Sequence, residues 1–320
     1  MTRTRLARLG LLLGCGVLAL TACGSGGSSN SASGGGPIRI ALNNTNDSLS
    51  VEVAQQEGFF KKHNITITPK TLSDITLVPS LLGKQYDVGF SVGPIMIRAA
   101  AQGVPIVAIS GNDGDSPQDQ GVQIFARKGI TSVKQLQGKR IGSPTLTGNI
   151  NIATKAWLSG SGVNPTGEQF VQVATPNMID QLQAGQVDAV ELIYPFITLA
   201  KQAGFTSLGD PERVLSSNYV GGTYWTADKA WATANPTEVD NFRAAMSDAD
   251  KWITANPAAA YQISATYTKV TPAQAKLAPL GPYTTDVSAA DLKIWGDAMH
   301  KFGGFGGSVD YSSLVFTGGK

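Results

Sequence analysis

At 320 residues, 42% of them hydrophobic and 15% charged, the chain can build two globular domains with proper cores. Its 25 Lys+Arg and 23 Asp+Glu give a formal net charge of +2, too even a balance to imply a nucleic-acid-binding surface. Two cysteines and two histidines exclude a disulfide scaffold and leave little for a metal centre.

Residues 1–23 read as a leader rather than part of a fold. Arg3, Arg5 and Arg8 form a positive start, and residues 9–20 are an apolar run too short to span a bilayer comfortably. The run ends in L-T-A-C, which resembles the bacterial lipoprotein processing box with Cys23 as the lipidated residue. Processing there removes Cys15, three arginines and no acid, leaving 22 Lys+Arg against 23 Asp+Glu, a net charge of −1. Any membrane association then rests on acyl chains, more than one being needed for stable anchoring. The expected location is the extracytoplasmic face of the cell membrane. Residues 24–37, G-S-G-G-S-S-N-S-A-S-G-G-G-P, form a flexible tether spanning roughly 20 Å as a coil.

The folded part opens with a strand at 38–42 whose carboxyl end runs into the polar turn N-N-T-N-D-S at 43–48. A helix follows to about residue 60, then a strand at 65–68 and a short helix at 77–82. In the stretch 83–104, Gly83 ends a helix, 88–91 is a short buried strand, and Pro94 starts a helix carrying Ile95, Ala99 and Gln102. A strand at 106–110 precedes 111–120, G-N-D-G-D-S-P-Q-D-Q. Its acids lack the closing bidentate glutamate of a calcium loop, so a solvated turn is expected. A strand at 122–126 carries the chain toward a second lobe, which opens with a turn and strand at 136–142.

The turn S-P-T-L-T-G-N at 143–149 leads into a helix at 150–158, followed by a strand at 171–174 and a helix at 178–184. The earlier strand–helix design then returns. Asp87 and Asp188 are each followed by a proline seven residues on (Pro94, Pro195), an alanine twelve on (Ala99, Ala200) and a glycine sixteen on (Gly103, Gly204). Residues 218–226 are read as the return crossing. Beyond them lie helices starting at Asn235-Pro236, Asn256-Pro257 and Thr271-Pro272 and a last one at 289–302, with Val239, Phe242, Met246, Ala249 and Ile253 as a core stripe. Alternation of this kind predicts an α/β protein with mostly parallel sheets flanked by helices.

No G-x-S-x-G, Walker A or dinucleotide fingerprint occurs, and His63 and His300 have no partners at ligand spacing. Catalytic residues, metal ligands and cofactors are therefore expected to be none. What recurs is a polar turn at the end of a strand and the start of a helix, at 43–48, 91–94 and 145–149. Ligands bind at such places in open α/β sheets, and helix amino termini suit anionic or strongly polar groups. For any single residue, helix capping explains the composition equally well.

With these elements in place, the chain resembles the solute-binding proteins of ABC importers of the nitrate/sulfonate/taurine type, a group that includes thiamine-pyrimidine-precursor binders. The carriers are E-G-F-F-K-K-H-N-I (57–65), G-K-Q-Y-D-V-G-F-S-V-G (83–93), A-A-Q-G-V-P-I (100–106), L-Q-G-K-R-I-G (136–142), L-Q-A-G-Q-V-D-A (182–189) and the two N-P helix starts. The resemblance implies a two-lobed periplasmic-binding-protein fold, type II-like, that closes about a hinge and does not catalyse. It places lobe 1 at 38–126 and 223–320 and lobe 2 at 127–222. It also implies a small polar solute of sulfonate, nitrate or taurine type, ABC permease partners, a monomer and no nucleic acid. The alternative is a thiamine-precursor pyrimidine or other heterocycle, or a pyrimidine-synthesising enzyme on the same scaffold. By motif position the ligand residues are Asn43, Asn44, Ser91, Val92, Gly93, Thr145, Leu146, Thr147, Gly148, Glu191 and Tyr194, with Tyr194, Phe196 or Tyr224 covering an apolar part. Asn43 to Asn46 stand where many relatives have an aromatic residue, and Tyr194 where relatives often have Glu. No arginine lies in these turns, which favours an uncharged or zwitterionic solute, or an anion held by backbone donors alone.

Overall fold

The computed structural model describes residues 36–118, 120–165 and 169–318; the expected leader, Cys23 and most of the tether lie outside them. In chain order the first elements are β1 (Ile38–Leu42), α1 (Leu49–Gln56), α2 (Phe59–Lys62), β2 (Ile67–Thr71), α3 (Val78–Leu81), β3 (Val88–Val92), α4 (Gly93–Ala101) and β4 (Ile106–Asp115). Next come β5 (Val122–Ala126), β6 (Ile141–Ser143), α5 (Asn149–Gly160), β7 (Phe170–Gln172), α6 (Met178–Gln183), β8 (Ala189–Ile193), α7 (Phe196–Gln202) and β9 (Thr206–Gly209). The last are β10 (Val220–Asp228), α8 (Lys229–Ala234), α9 (Pro236–Ala255), α10 (Pro257–Thr268), α11 (Pro272–Ala275) and α12 (Ala289–Phe302).

The strands form two five-stranded sheets of matching design, ordered β2-β1-β3-β10-β4 and β7-β6-β8-β5-β9. In the first, β1 pairs parallel with β2 and β3, while β10 runs antiparallel between β3 and β4. In the second, β6 pairs parallel with β7 and β8, while β5 runs antiparallel between β8 and β9. Four strands of each sheet thus run in one direction, as expected of a mostly parallel sheet, and the fourth position is filled by the one strand that runs the opposite way. The expected boundary after residue 126 puts 122–126 with the first lobe; its ladder to β8 places β5 in the second sheet.

The first sheet is buried on both faces. On one side Phe90, Trp225, Phe242 and Phe60 stack inward under α1 and α9, with successive ring centroids 6.0 Å apart. The apolar stripe of Val239, Phe242, Met246, Ala249 and Ile253 is buried here, as helical spacing requires. On the other side α4 and α12 meet over Met96, Ile97, Trp295 and Met299. A Cβ on Gly93 would sit 2.7 Å from the Trp295 ring, so the first residue of α4 has to be small. The second sheet carries its own two clusters, one around Ile124, Leu136 and Leu158 and one around Phe125, Met178 and Ile197.

Residues 111–115, expected in a solvated loop, instead prolong β4 along β10, with Gly111 opposite Tyr224 and Gly114 opposite Gly221. Glycine allows this. A Cβ at Gly111 would overlap the Asp286 carbonyl oxygen, and one at Gly114 the Val220 carbonyl oxygen. The consequence is that Asn112, Asp113 and Asp115 become part of a paired strand rather than a solvated turn.

Candidate functional site

A cavity of about 560 Å³ is lined by residues of both sheets and their loops. From the first sheet come Asn43, Asn44, Thr45, Asp47, Asp74, Phe90, Val92 and Asp113; from the second, Val122, Thr145, Gly148, Asn149, Gln172 and Ile193. Phe196 and Glu212 complete the far side.

The turn after β1 is organised around a carboxylate. Asp47 Oδ2 accepts from Asn43 Nδ2 at 2.9 Å and from Thr45 Oγ1 at 2.8 Å. Ser48 Oγ in turn donates to Asn43 Oδ1 at 2.7 Å, which fixes the Asn43 amide. The Asp47 carbonyl accepts from Asn112 Nδ2 at 2.8 Å, and Asn112 Oδ1 accepts from Trp225 Nε1 at 2.9 Å. Asn112 therefore ties the turn to the centre of the first core. Burial raises the Asp47 carboxyl above its ordinary pKa, the Thr45 and Asn43 hydrogen bonds holding it back in part.

Glu212, in the short turn before β10, is 2% exposed, and its Oε1 accepts from Asn149 Nδ2 at 2.9 Å. Asn149 opens α5, so Glu212 is held by the side chain of the first residue of that helix. Asp115 is equally buried; its Oδ1 accepts from Gly121 N at 2.5 Å, and its Oδ2 lies 3.9 Å from Arg213. Burial, and then repulsion within the group Asp115, Asp210 and Glu212, pushes Asp115 and Glu212 well above the usual carboxylate range. Among the described residues, five carboxyl side chains line the cavity (Asp47, Asp74, Asp113, Asp115 and Glu212) and no lysine, arginine or histidine does.

The expected ligand residues divide. Asn43, Asn44, Val92, Thr145 and Gly148 line the cavity. Ser91 does not: it is fully buried within β3, while Gly93 backs onto Trp295. Leu146 and Thr147 point to solvent at the tip of their turn. Glu191 is fully buried in β8 behind the cavity wall, where Ser143 Oγ donates to it, and burial pushes its carboxyl up to about 7. Tyr194 is half-buried beside Pro117, Gln123 and Pro279, in a separate depression. Of the candidate aromatic covers, Phe196 lines the cavity, whereas Tyr224 is buried and donates to the Gly221 carbonyl at 2.9 Å. His63 pairs with Asp248 at 2.8 Å, and His300 Nδ1 lies 2.9 Å from the Phe305 carbonyl, so neither lines the cavity.

Asp47, Asp113, Asp115 and Glu212 were not singled out by sequence reasoning. Asp47 falls in the polar turn at 43–48, where capping explains its presence equally well, and 113–115 in an expected solvated turn. The available signal was the Gly111/Gly114 spacing, which lets β10 approach and brings two aspartates to a strand end.

The family model described as NMT1/THI5 like matches residues 45–260, and the chain belongs to this family. It is 23% identical over 226 residues to a Brucella abortus (strain 2308) protein named as a binding protein, covering 68% of this chain and 67% of the relative. It is 26% identical over 224 residues to the 4-amino-5-hydroxymethyl-2-methylpyrimidine phosphate synthase of Aspergillus parasiticus, covering 66% and 64%. Among solved structures, the alkanesulfonate-binding protein SsuA of Xanthomonas axonopodis pv. citri bound to MOPS superposes with a TM-score of 0.76 at 18% identity, over 89% of this chain and 99% of that one. The nitrate-binding protein NrtA of Synechocystis PCC 6803 superposes at 0.71 with 13% identity, over 87% and 84%. The chain thus has the periplasmic-binding-protein fold, two mixed sheets flanked by helices.

Proposed function

We propose that the chain is the solute-binding component of an ABC importer, working outside the cytoplasm as a monomer and held to the membrane by lipid on Cys23. The observation that carries this reading is the cavity, whose walls are drawn from both sheets and whose polar groups converge on one space. The fold shared with sulfonate- and nitrate-binding proteins supports it, as does the relative named a binding protein.

On this reading the two sheets are the cores of two lobes. Residues 116–118 and 210–219 lie in crossings between them, and closure about these crossings encloses the solute and presents a closed form to the permease. Asn44, Thr45, Thr145, Asn149 and Gln172 orient the solute, and Phe90, Val92, Ile193 and Phe196 cover its apolar part. Among the classes expected, a sulfonate or nitrate anion meets carboxylates and no cationic side chain, so the heterocycle alternative is the better match. An enzymatic role like that of the Aspergillus relative has no histidine in the cavity to draw on.

A thermal-shift screen with sulfonates, nitrate, taurine, pyrimidines and aromatic acids tests the reading. A ligand at a hundred times its Kd stabilises by about 2.7 kcal/mol, a clear rise in Tm. Small-angle scattering should show contraction with the same compound. A flat screen across all classes overturns the proposal.

A further inference from the structure

We propose that the cavity takes an organic cation: an amine-type head seated between Asp47 and Glu212, with a small apolar body against Phe90, Ile193 and Phe196. This rests on the binding-protein reading above and names the solute class it leaves open.

Two independent features meet here. The first is the cavity itself, with an apolar wall of Leu72, Ile75, Phe90, Val92, Ile193 and Phe196 on either side of a polar floor. The second is Glu212, 2% exposed yet lining the space, with only one of its oxygens satisfied: Oε1 accepts from Asn149, and Oε2 takes no hydrogen bond from any described residue. A carboxylate buried this deeply is costly to ionise without a partner. Asp47, half-buried at the cavity wall, also has an oxygen to spare, since its two side-chain hydrogen bonds both fall on Oδ2. The two charges act on each other, Asp47 adding to the rise at Glu212. Arg213, the cation next to this group, pairs with Asp210 at 3.0 Å and donates to the Asn218 carbonyl, lies 3.9 Å from Asp115, and does not itself line the cavity. A cation in the cavity supplies what the side chains withhold: donors for both carboxylates and a positive charge between them. An ammonium group beside Phe90 or Phe196 also gains from the ring face. A sulfonate placed there adds a negative charge to a group already in mutual repulsion.

Calorimetric titration of the purified full-length protein decides the matter, using benzylammonium and phenethylammonium, neutral benzyl alcohol, benzenesulfonate, taurine and an aminopyrimidine. The amines should bind, and the alcohol should bind at least about tenfold more weakly, a charge-assisted hydrogen bond being worth that much. Benzenesulfonate should not bind. Glu212→Gln and Asp47→Asn should each weaken amine binding by about tenfold or more while leaving Tm unchanged or raised, because each keeps the side chain's shape and removes the cost of ionising a carboxyl there. Asp297→Asn, an exposed partner of Lys293, should change neither. If benzenesulfonate or taurine binds and the amines do not, the cation assignment fails and the binding-protein reading stands. Amine binding that survives the Glu212→Gln, Asp47→Asn double variant also overturns it. If no compound binds, both readings fail.

Discussion

Asp188 Oδ2 accepts the backbone N–H of Arg140 at 2.9 Å, tying the start of β8 to the start of β6. Asp87 makes the same bond to the Arg39 amide at 2.9 Å in the first sheet, and both pairs are separated by 48 residues. The guanidinium of Arg39 reaches the Lys84 carbonyl at 2.8 Å, and that of Arg140 reaches the Gly185 carbonyl at 3.0 Å, each 45 residues on. The two halves differ in what neutralises the aspartate: Arg39 itself pairs with Asp87 at 2.6 Å, while Asp188 takes Arg127 at 2.7 Å. The strand–helix repeat visible in the sequence is therefore a repeat of a specific bond.

Replacing either aspartate should loosen its own sheet. Asp188→Ala leaves the Arg140 amide without its acceptor and should cost about 1–3 kcal/mol in urea unfolding. The exposed ion pair adds little to that figure. Arg127→Ala, which removes the pair and keeps the amide bond, should cost well under half as much. Equal losses for the two variants would refute the assignment.

Stability should fall as pH rises through neutrality. Glu191 is pushed up to about 7 and Asp250 to about 6, both chiefly by burial, and Glu212 and Asp115 are raised too. The folded chain therefore holds protons that the unfolded chain has released, and the unfolding free energy declines with pH across that window. The groups facing Glu212 are Asp210, Arg213 and Asp47. Asp248, held low by Lys62 and His63, acts in the opposite sense and is lost only on acidification. The Tm of the ligand-free protein should be higher at pH 5.5 than at pH 8.5, and Glu212→Gln should flatten the difference. Calorimetric scans across that range provide the check.

Gly111→Ala should be far more harmful than its chemistry implies. The added methyl meets the Asp286 carbonyl oxygen, so β4 and the 284–286 segment must part, at roughly 1–3 kcal/mol. Gly160→Ala, at the open end of α5, should be stabilising by about 0.5–1 kcal/mol. Denaturant midpoints for the pair would expose a mistaken β4 register.

Cys23→Ala should shift the protein from the membrane fraction to the soluble fraction of cells that express it. Fractionation followed by immunoblotting reads this directly, and retention of the variant in the membrane would remove the lipid-anchor proposal. Among the described residues no helix is long and apolar enough to cross a membrane.

Helix starts were readable from local chemistry. Pro236, Pro257 and Pro272 each sit in the first turn, and the last helix spans Ala289–Phe302 as expected. The order of strands was not readable, because β5 and β10 owe their places to partners far along the chain. The site was legible only as backbone. Turns at strand ends announce themselves through Asn, Thr and Gly, but the carboxylates between them come from a strand extension and from the 211–214 turn. The first is signalled only by the Gly111/Gly114 spacing and the second by nothing local. The Asp113/Asp115 pair looked solvated because nothing within a few residues shows that β10 will lie alongside.

The insertion of β10 between β3 and β4 also orders events during synthesis. The second sheet is complete once residue 209 has been made, since all its strands lie between 122 and 209. The first has a gap between β3 and β4 until residue 228 is available, and Trp225, which anchors its aromatic stack, arrives in that same strand. A polypeptide truncated before β10 would hold one finished half and one with two open flanks inviting foreign strands.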